Sequence, residues 1–377
     1  MEASLANKFF SADGHVIEPE DLWTTRLDAR WRDRAPHFEP RPQGDYTVID
    51  GMAPMPMGLE GTVINDKVAG EIRSAARKRR SDARAGSSNP HARLADQDLD
   101  NLRGEVIYPG VGLALCGAPD AEYPAACFRA YNDWLAEFCA VAPQRLLGAG
   151  VIPPRASIDS AIKEAHRIAR SGLKTVVMVT ENVERPYISP EYDPWWAAME
   201  EIGIPVAIHS GSTTKNETPG ERGARMGHYG SHVVDTKIGR VMRALADLIW
   251  SGAVQKHPGL RIVMVEGGIG WVACTLRLMD HWWSDHWRWM KPRLEEPPSF
   301  YYKRNFYSTF EDDRAGLLTR ELLNVDHLMW GSDYPHTEGT FPRSRERIAE
   351  DFRDIAEADT RKMVCDNAMR LYGLAAR

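Results

Sequence analysis

The chain has 377 residues, with 47 Lys and Arg against 53 Asp and Glu and a formal net charge of -6. That balance argues against a dedicated nucleic-acid binder, whose domains are usually basic. No apolar run approaches the roughly 20 residues that cross a bilayer. The length suits one large α/β domain with insertions. Residues Met1 to Phe10 lack the charged-then-apolar pattern of a secretion signal, so the cytoplasm is the default location. Five scattered cysteines (Cys116, Cys127, Cys139, Cys274, Cys365) without a Cys-x-x-Cys pair point to reduced thiols and exclude a thiolate zinc finger.

The first predicted strand, Lys8–Asp13, runs into Asp13-Gly14-His15. An insertion over 16–97 follows, far longer than an ordinary barrel connection. It opens on a predicted helix, Glu20–Leu27, and contains a Met/Pro-rich segment at 52–58 and a basic run from Arg73 to Arg84. We read it as a cover over the barrel mouth or an oligomer contact, and the basic run as a solvated helix face or mobile loop. Further strands are predicted at Glu105–Tyr108, Leu146–Ile152, Thr175–Val179, Pro205–His209, Arg261–Glu266, Asn305–Phe310 and Leu328–Gly331. Most are continuous apolar runs, as strands buried on both faces should be.

Helical periodicity marks Ala156–Ser171 and Val233–Ala253, and a short helix over Ala198–Ile202 stops before Gly203. Strands alternating with helices predict an α/β fold, a (β/α)8 TIM-like barrel forming one domain over 1–377. Two stretches stand apart. Ser210 to Ser231 reads as a long polar loop after the fifth strand, with Lys215, Arg222 and Arg225 able to pair with a carboxylate. Trp282, Trp283, Trp287 and Trp289 cluster with His281 and His286, and we read them as outer packing or a subunit contact.

Chemistry concentrates at strand ends. Asp13 and His15 leave the first strand on one face, His209 ends the fifth, Glu266 ends the sixth and Asp333 follows the eighth. A closed barrel would bring these ends to one rim. Imidazoles and carboxylates without thiolates suit iron, manganese or zinc. Glu18, His228, His232 and His336 are surplus candidate ligands. Glu18 has a second reading as a helix cap, His232 as a contact at a helix start, and His336 as a hydrogen-bond partner that orients Asp333.

The segments Ala12-Asp13-Gly14-His15-Val16-Ile17-Glu18-Pro19, Ile208-His209, His257-Pro258-Gly259-Leu260-Arg261 and Gly331-Ser332-Asp333-Tyr334-Pro335 resemble the amidohydrolase superfamily, specifically its amidohydrolase-2 branch of decarboxylases and hydrolases. The resemblance extends over nearly the full length and implies metal ligation by Asp13, His15, His209 and Asp333. Two departures stand out. Family decarboxylases and hydrolases carry a His at the end of strand six, where this chain has Glu266. The fourth strand runs into Thr180-Glu181-Asn182, without the modified lysine that bridges two metals in other members.

With the surplus ligands, this set resembles the small subgroup of amidohydrolase-fold enzymes with a dinuclear iron site. The leading expectation is therefore a non-haem iron monooxygenase. It would hold two Fe, with Mn or Zn as alternatives, through Asp13, His15, Glu18, His209, His232, Glu266, Asp333 and His336. Glu266, Asp333 and His336 would serve the chemistry, with O2 and a small, potentially carboxylate-bearing molecule as substrates. The alternative is a hydrolase or non-oxidative decarboxylase with one divalent metal, in which Asp333 or Glu266 acts as general base. A metal-free partner subunit is a third reading, which the full ligand set opposes. Pairing of barrels through their outer helices makes a homo-oligomer the expected assembly.

Overall fold

The computed structural model describes residues 9–42, 44–56, 79–180, 183–210, 231, 233–336 and 338–374. Eight strands lie at Phe9–Ser11, Leu102–Ile107, Leu146–Val151, Thr175–Val179, Val206–His209, Ile262–Val265, Phe306–Phe310 and Leu328–Trp330. Each pairs in parallel with the next. The first and last meet beyond their ends, where Ala12 N donates to Trp330 O at 2.9 Å and Asp333 N donates to Asp13 O at 2.9 Å. All eight predicted strands are present, and Thr175–Val179 has its predicted bounds. Thr175–Val179, Val206–His209 and Ile262–Val265 are buried throughout, which is why their sequences are apolar without alternation.

The helices cover the barrel with one stripe each. In Ile158–Arg170 the Ser157 hydroxyl accepts from Ser160 N, and Ala161, Ala165 and Ile168 are the buried residues. The short helix before the fifth strand spans Asp193–Ile202 and stops at Gly203, as expected. The stretch 233–253 departs from its expected single helix. It begins with a wide π-helical turn, Val234–Gly239, continues as an α-helix, Arg240–Trp250, and restarts at Ala253–Lys256 after Gly252. Widened turns of this kind collect at functional sites. Among the described residues, no helix is long and apolar enough to cross a membrane.

The insertion carries its own antiparallel sheet of His37–Arg41, Gly44–Val48 and Met55–Pro56. The part of the basic run that is described, from Arg79, is not a solvated face. Arg79 pairs with Asp45 at 2.8 Å and Arg84 with Asp96 at 2.6 Å, while Arg80 N donates to Asp45 at 2.7 Å. Residues 73–78 lie outside the described residues. These arginines serve tertiary pairing, because acids of the insertion face them. The tryptophan cluster sits on the helix Val272–His286 and the turn after it. There Trp282 and Trp289 are exposed, and the His286 ring lies 4.1 Å from the first and 5.6 Å from the second.

Asp100, which caps the helix Pro90–Leu99, fastens that helix end to the segment beyond the last strand, accepting from Ser344 N at 3.0 Å and from the Ser344 hydroxyl. Burial raises its carboxyl to about 6, against the lowering effect of those two bonds. A raised carboxyl favours the folded state while it is protonated. Its contribution is complete below the unfolded pKa and is lost as pH rises through about 6. We expect wild-type stability, measured against Asp100→Asn by urea unfolding, to fall by about 3 kcal/mol between about pH 4 and about pH 7. A difference independent of pH would refute the burial of an ionisable group there.

Candidate metal centre

The barrel rim gathers the strand-end residues as the sequence implies. His15 Nε2 lies 3.6 Å from Asp13 Oδ1 and 3.3 Å from Asp333 Oδ1. The His15 and His209 rings stand edge-on with centroids 5.2 Å apart. Asp13, His15, His209 and Asp333 are each 1% exposed or less, so nearly all water is excluded from their side chains.

Each imidazole is oriented through its Nδ1. His15 Nδ1 donates to Pro109 O at 2.9 Å and His209 Nδ1 to Ser210 O at 2.7 Å, which leaves both Nε2 lone pairs facing inward. Burial lowers His209 to about 4, so its ring is neutral at physiological pH. Asp13 Oδ1, His15 Nε2, His209 Nε2 and Asp333 Oδ2 are buried without a hydrogen-bond partner among the described residues. Buried polar atoms left in this way are costly unless something else satisfies them.

The electrostatics agree. Burial, with the charges of Asp333 and Glu266, pushes Asp13 well above the usual carboxylate range. Burial opposes ionisation of Asp333 too, but His336 and His15 hold it well below that range. Crowded carboxylates with inward lone pairs fit a divalent cation. Asp13, His15 and His209 have ligand atoms within 4.8 Å of one another, and Asp333 adjoins them through its 3.3 Å approach to His15 Nε2.

The backbone accepts strain to build this set. Asp333 and Glu266 lie in left-handed conformations, with φ of 53° and 59°. Gly331 is required for another reason: a Cβ there would lie 2.5 Å from Asp13 Cβ and 3.1 Å from Asp13 N. Backbone atoms cannot swing aside, so Gly331→Ala should displace Asp13. We expect a cost of about 1–3 kcal/mol in thermal or urea unfolding, together with weaker metal retention after dialysis. Full retention of both would show that the contact yields.

The surplus candidates divide. His336 joins the site, stacked on His15 at 4.2 Å with Nδ1 2.8 Å from Asp333 Oδ1. Burial opposes its charge, but Asp333 raises it to about 10. Glu266 also arrives, in a second group with His15, Asp333 and His336 whose ligand atoms lie within 4.8 Å of one another. Its carboxylate is nonetheless engaged: Lys237 Nζ lies 3.0 Å from Oε1 and the Ser210 hydroxyl donates to Oε2. Lys237 and His209 hold Glu266 ionised at about 2 against burial.

Glu18 turns away. Its Oε1 accepts from the backbone N–H of Gly110 at 3.1 Å and of Gly112 at 3.0 Å, and it belongs to neither group. Three residues after His15 there is no regular helix or strand to keep it on the ligand face. His232, His228, Lys215, Arg222 and Arg225 lie outside the described residues.

Lys237 escaped the sequence reading, since it sits within an apolar helical stripe. Its own signal was a lysine between Thr236 and Ile238 soon after a ligand strand. Arg93 and Glu105 were missed as well. Arg93 is 1% exposed, pairs with both oxygens of Glu105 at 2.6 Å and donates to His15 O at 2.8 Å.

The sequence profile of the amidohydrolase family matches residues 111–374, more than two thirds of the chain. The chain belongs to the amidohydrolase family. This amidohydrolase is 27% identical over 286 residues to the gamma-resorcylate decarboxylase of Rhodococcus jostii (strain RHA1), covering 69% of this chain and 80% of that protein. The gamma-resorcylate decarboxylase of Rhizobium radiobacter is 26% identical over 287 residues, covering 70% and 81%.

Among solved structures, an amidohydrolase from Mycobacterium avium subsp. paratuberculosis K-10 superposes with a TM-score of 0.77 at 23% identity, over 97% of this chain and 99% of that one. A dihydroxybenzoic acid decarboxylase from Polaromonas sp. JS666, with bound manganese and an inhibitor, gives 0.64 at 17% identity over 98% of each. These structural likenesses carry the fold. The relatives overturn the leading sequence expectation: they are decarboxylases, not iron monooxygenases. The geometry gives the reason the expectation went astray. Glu266, taken as a ligand to a second iron, already carries an ammonium and a hydroxyl.

Proposed function

We propose that this amidohydrolase is a non-oxidative decarboxylase of a small hydroxylated aromatic acid, using one divalent cation held by Asp13, His15, His209 and Asp333. The observation that carries the reading is the kinship with gamma-resorcylate decarboxylases over four fifths of their length. The set of two carboxylates and two imidazoles with inward Nε2 atoms supports a single ion. The manganese of the Polaromonas protein makes Mn2+ the first ion to try.

A divalent ion bound there would supply Lewis-acid attraction for a substrate carboxylate or hydroxyl oxygen. The chain's residues supply the rest. Loss of CO2 breaks a carbon–carbon bond and leaves the electron pair on the ring carbon, which must take a proton. We assign its delivery to His336, whose ring stacks on His15 with centroids 4.2 Å apart. Its Nδ1 lies 2.8 Å from Asp333 Oδ1, and that carboxylate favours the protonated ring. His336 then both gives a proton to carbon and recovers one from solvent, to which it is 13% exposed.

Anaerobic incubation of the Mn2+-loaded protein with hydroxybenzoic acids, 2,6-dihydroxybenzoate included, tests the reading. CO2 release, and in D2O one deuteron at the vacated carbon, are expected. Product formation that consumes O2, or no turnover across the panel, would overturn it. His336→Gln should lower kcat by at least about 10²-fold while metal content stays unchanged. A variant with wild-type kcat would remove His336 from proton delivery.

A further inference from the structure

We infer that Lys237 stands in place of a second metal ion, so that removing its charge opens a latent metal site formed by Glu266, His336 and Asp333. The inference rests on the single-ion reading above and concerns what keeps the count at one. Four donors, from His15, Glu266, Asp333 and His336, lie within 4.8 Å of one another. His15 has one inward nitrogen, since Nδ1 is bonded to Pro109 O, and an ion held with Asp13 and His209 uses it. That leaves Glu266, His336 and Asp333, the three protein ligands that suffice for an open site.

What prevents a second ion is the company Glu266 keeps. Lys237 Nζ lies 3.0 Å from Glu266 Oε1 and 3.4 Å from Glu338 Oε1, and its side chain is 28% exposed. The π-helical turn Val234–Gly239 delivers it there. The close fit of that turn is built in: a Cβ on Gly267 would lie 2.8 Å from Val241 Cγ1 and 3.3 Å from Lys237 O. Glu266 is fixed in turn, its N donating to the Thr309 hydroxyl at 2.9 Å. The ammonium balances Glu266, so a second dication entering beside Lys237 meets like charge in a buried site, and it gains His336 as a ligand only by displacing that ring's proton. Methionine at position 237 keeps the bulk and leaves Glu266 without a counter-ion.

The test counts ions on the full-length protein. Chelator-stripped wild type, Lys237→Met, Lys237→Arg and the double variant Lys237→Met/Glu266→Gln are equilibrated with Mn2+, desalted and analysed for bound metal. Circular dichroism confirms folding of each. We expect one equivalent for wild type, Lys237→Arg and the double variant. Lys237→Met should take two, with the spin-coupled signal of a close manganese pair and at least tenfold tighter second-ion binding. Lys237→Met remaining at one equivalent while folded sinks the inference and leaves the single-ion reading standing. Two equivalents in wild type sink both. Two in the double variant remove Glu266 from the latent site.

Discussion

Asp333→Asn is expected to leave the fold intact and abolish both metal retention and turnover, with kcat falling by about 10⁴-fold. The substitution is informative because it separates conformation from charge. Asn is one of the few residues that tolerate the left-handed conformation Asp333 adopts, at φ 53°, so the backbone has no reason to rearrange. What disappears is a buried negative charge, 3.3 Å from His15 Nε2 and 2.8 Å from His336 Nδ1. Without it His336 loses the partner that raises its pKa and reverts towards a neutral ring. Metal analysis and Mn2+ titration calorimetry check the first claim, and a melting curve close to wild type checks the second. A folded Asp333→Asn protein that kept a full equivalent of metal would remove Asp333 from the centre.

The second large effect lies below the metal site. Arg93 grips Glu105 through both carboxylate oxygens, donates to the carbonyl of His15 and stacks its guanidinium 4.1 Å from the Tyr334 ring centroid. One buried side chain thus ties the ligand turn after the first strand to the ligand turn after the last. Arg93→Met would strand the Glu105 carboxylate in the interior, although the Gln97 amide still donates to it. We expect a loss of about 3–5 kcal/mol in urea unfolding. Replacing both partners, Arg93→Met with Glu105→Leu, should recover part of that, since an absent charge needs no counter-ion. The recovery stays incomplete because His15 O loses its donor in either case. A single variant within 1 kcal/mol of wild type, an order-of-magnitude threshold at about the size of a typical point mutation, would show that water reaches the stranded carboxylate.

Much of this was legible in the linear chain. Runs such as Val176-Val177-Met178-Val179 and Ile262-Val263-Met264-Val265 had to be strands covered on both faces, and eight of them had to close. Closure alone then carries Asp13 and His15 to Asp333, and the spacing of alternate residues along a strand sets which side chains look inward. For the same reason His209 and Glu266, each ending a strand, were found without any contact being known.

Which carboxylates are already engaged was not legible. Whether a carboxylate serves as a ligand depends on what already satisfies it, and those partners come from elements distant in sequence. Glu18 lies three residues beyond His15 yet spends Oε1 on amides of Gly110 and Gly112. Glu266 ends its strand as a ligand should, yet Lys237 reaches it from a widened helical turn that periodicity reads as plain helix. Backbone pattern is local and repeats along the chain, so sequence determined the barrel and its rim. The pairing of buried charges is a three-dimensional balance, and only the folded chain decided it.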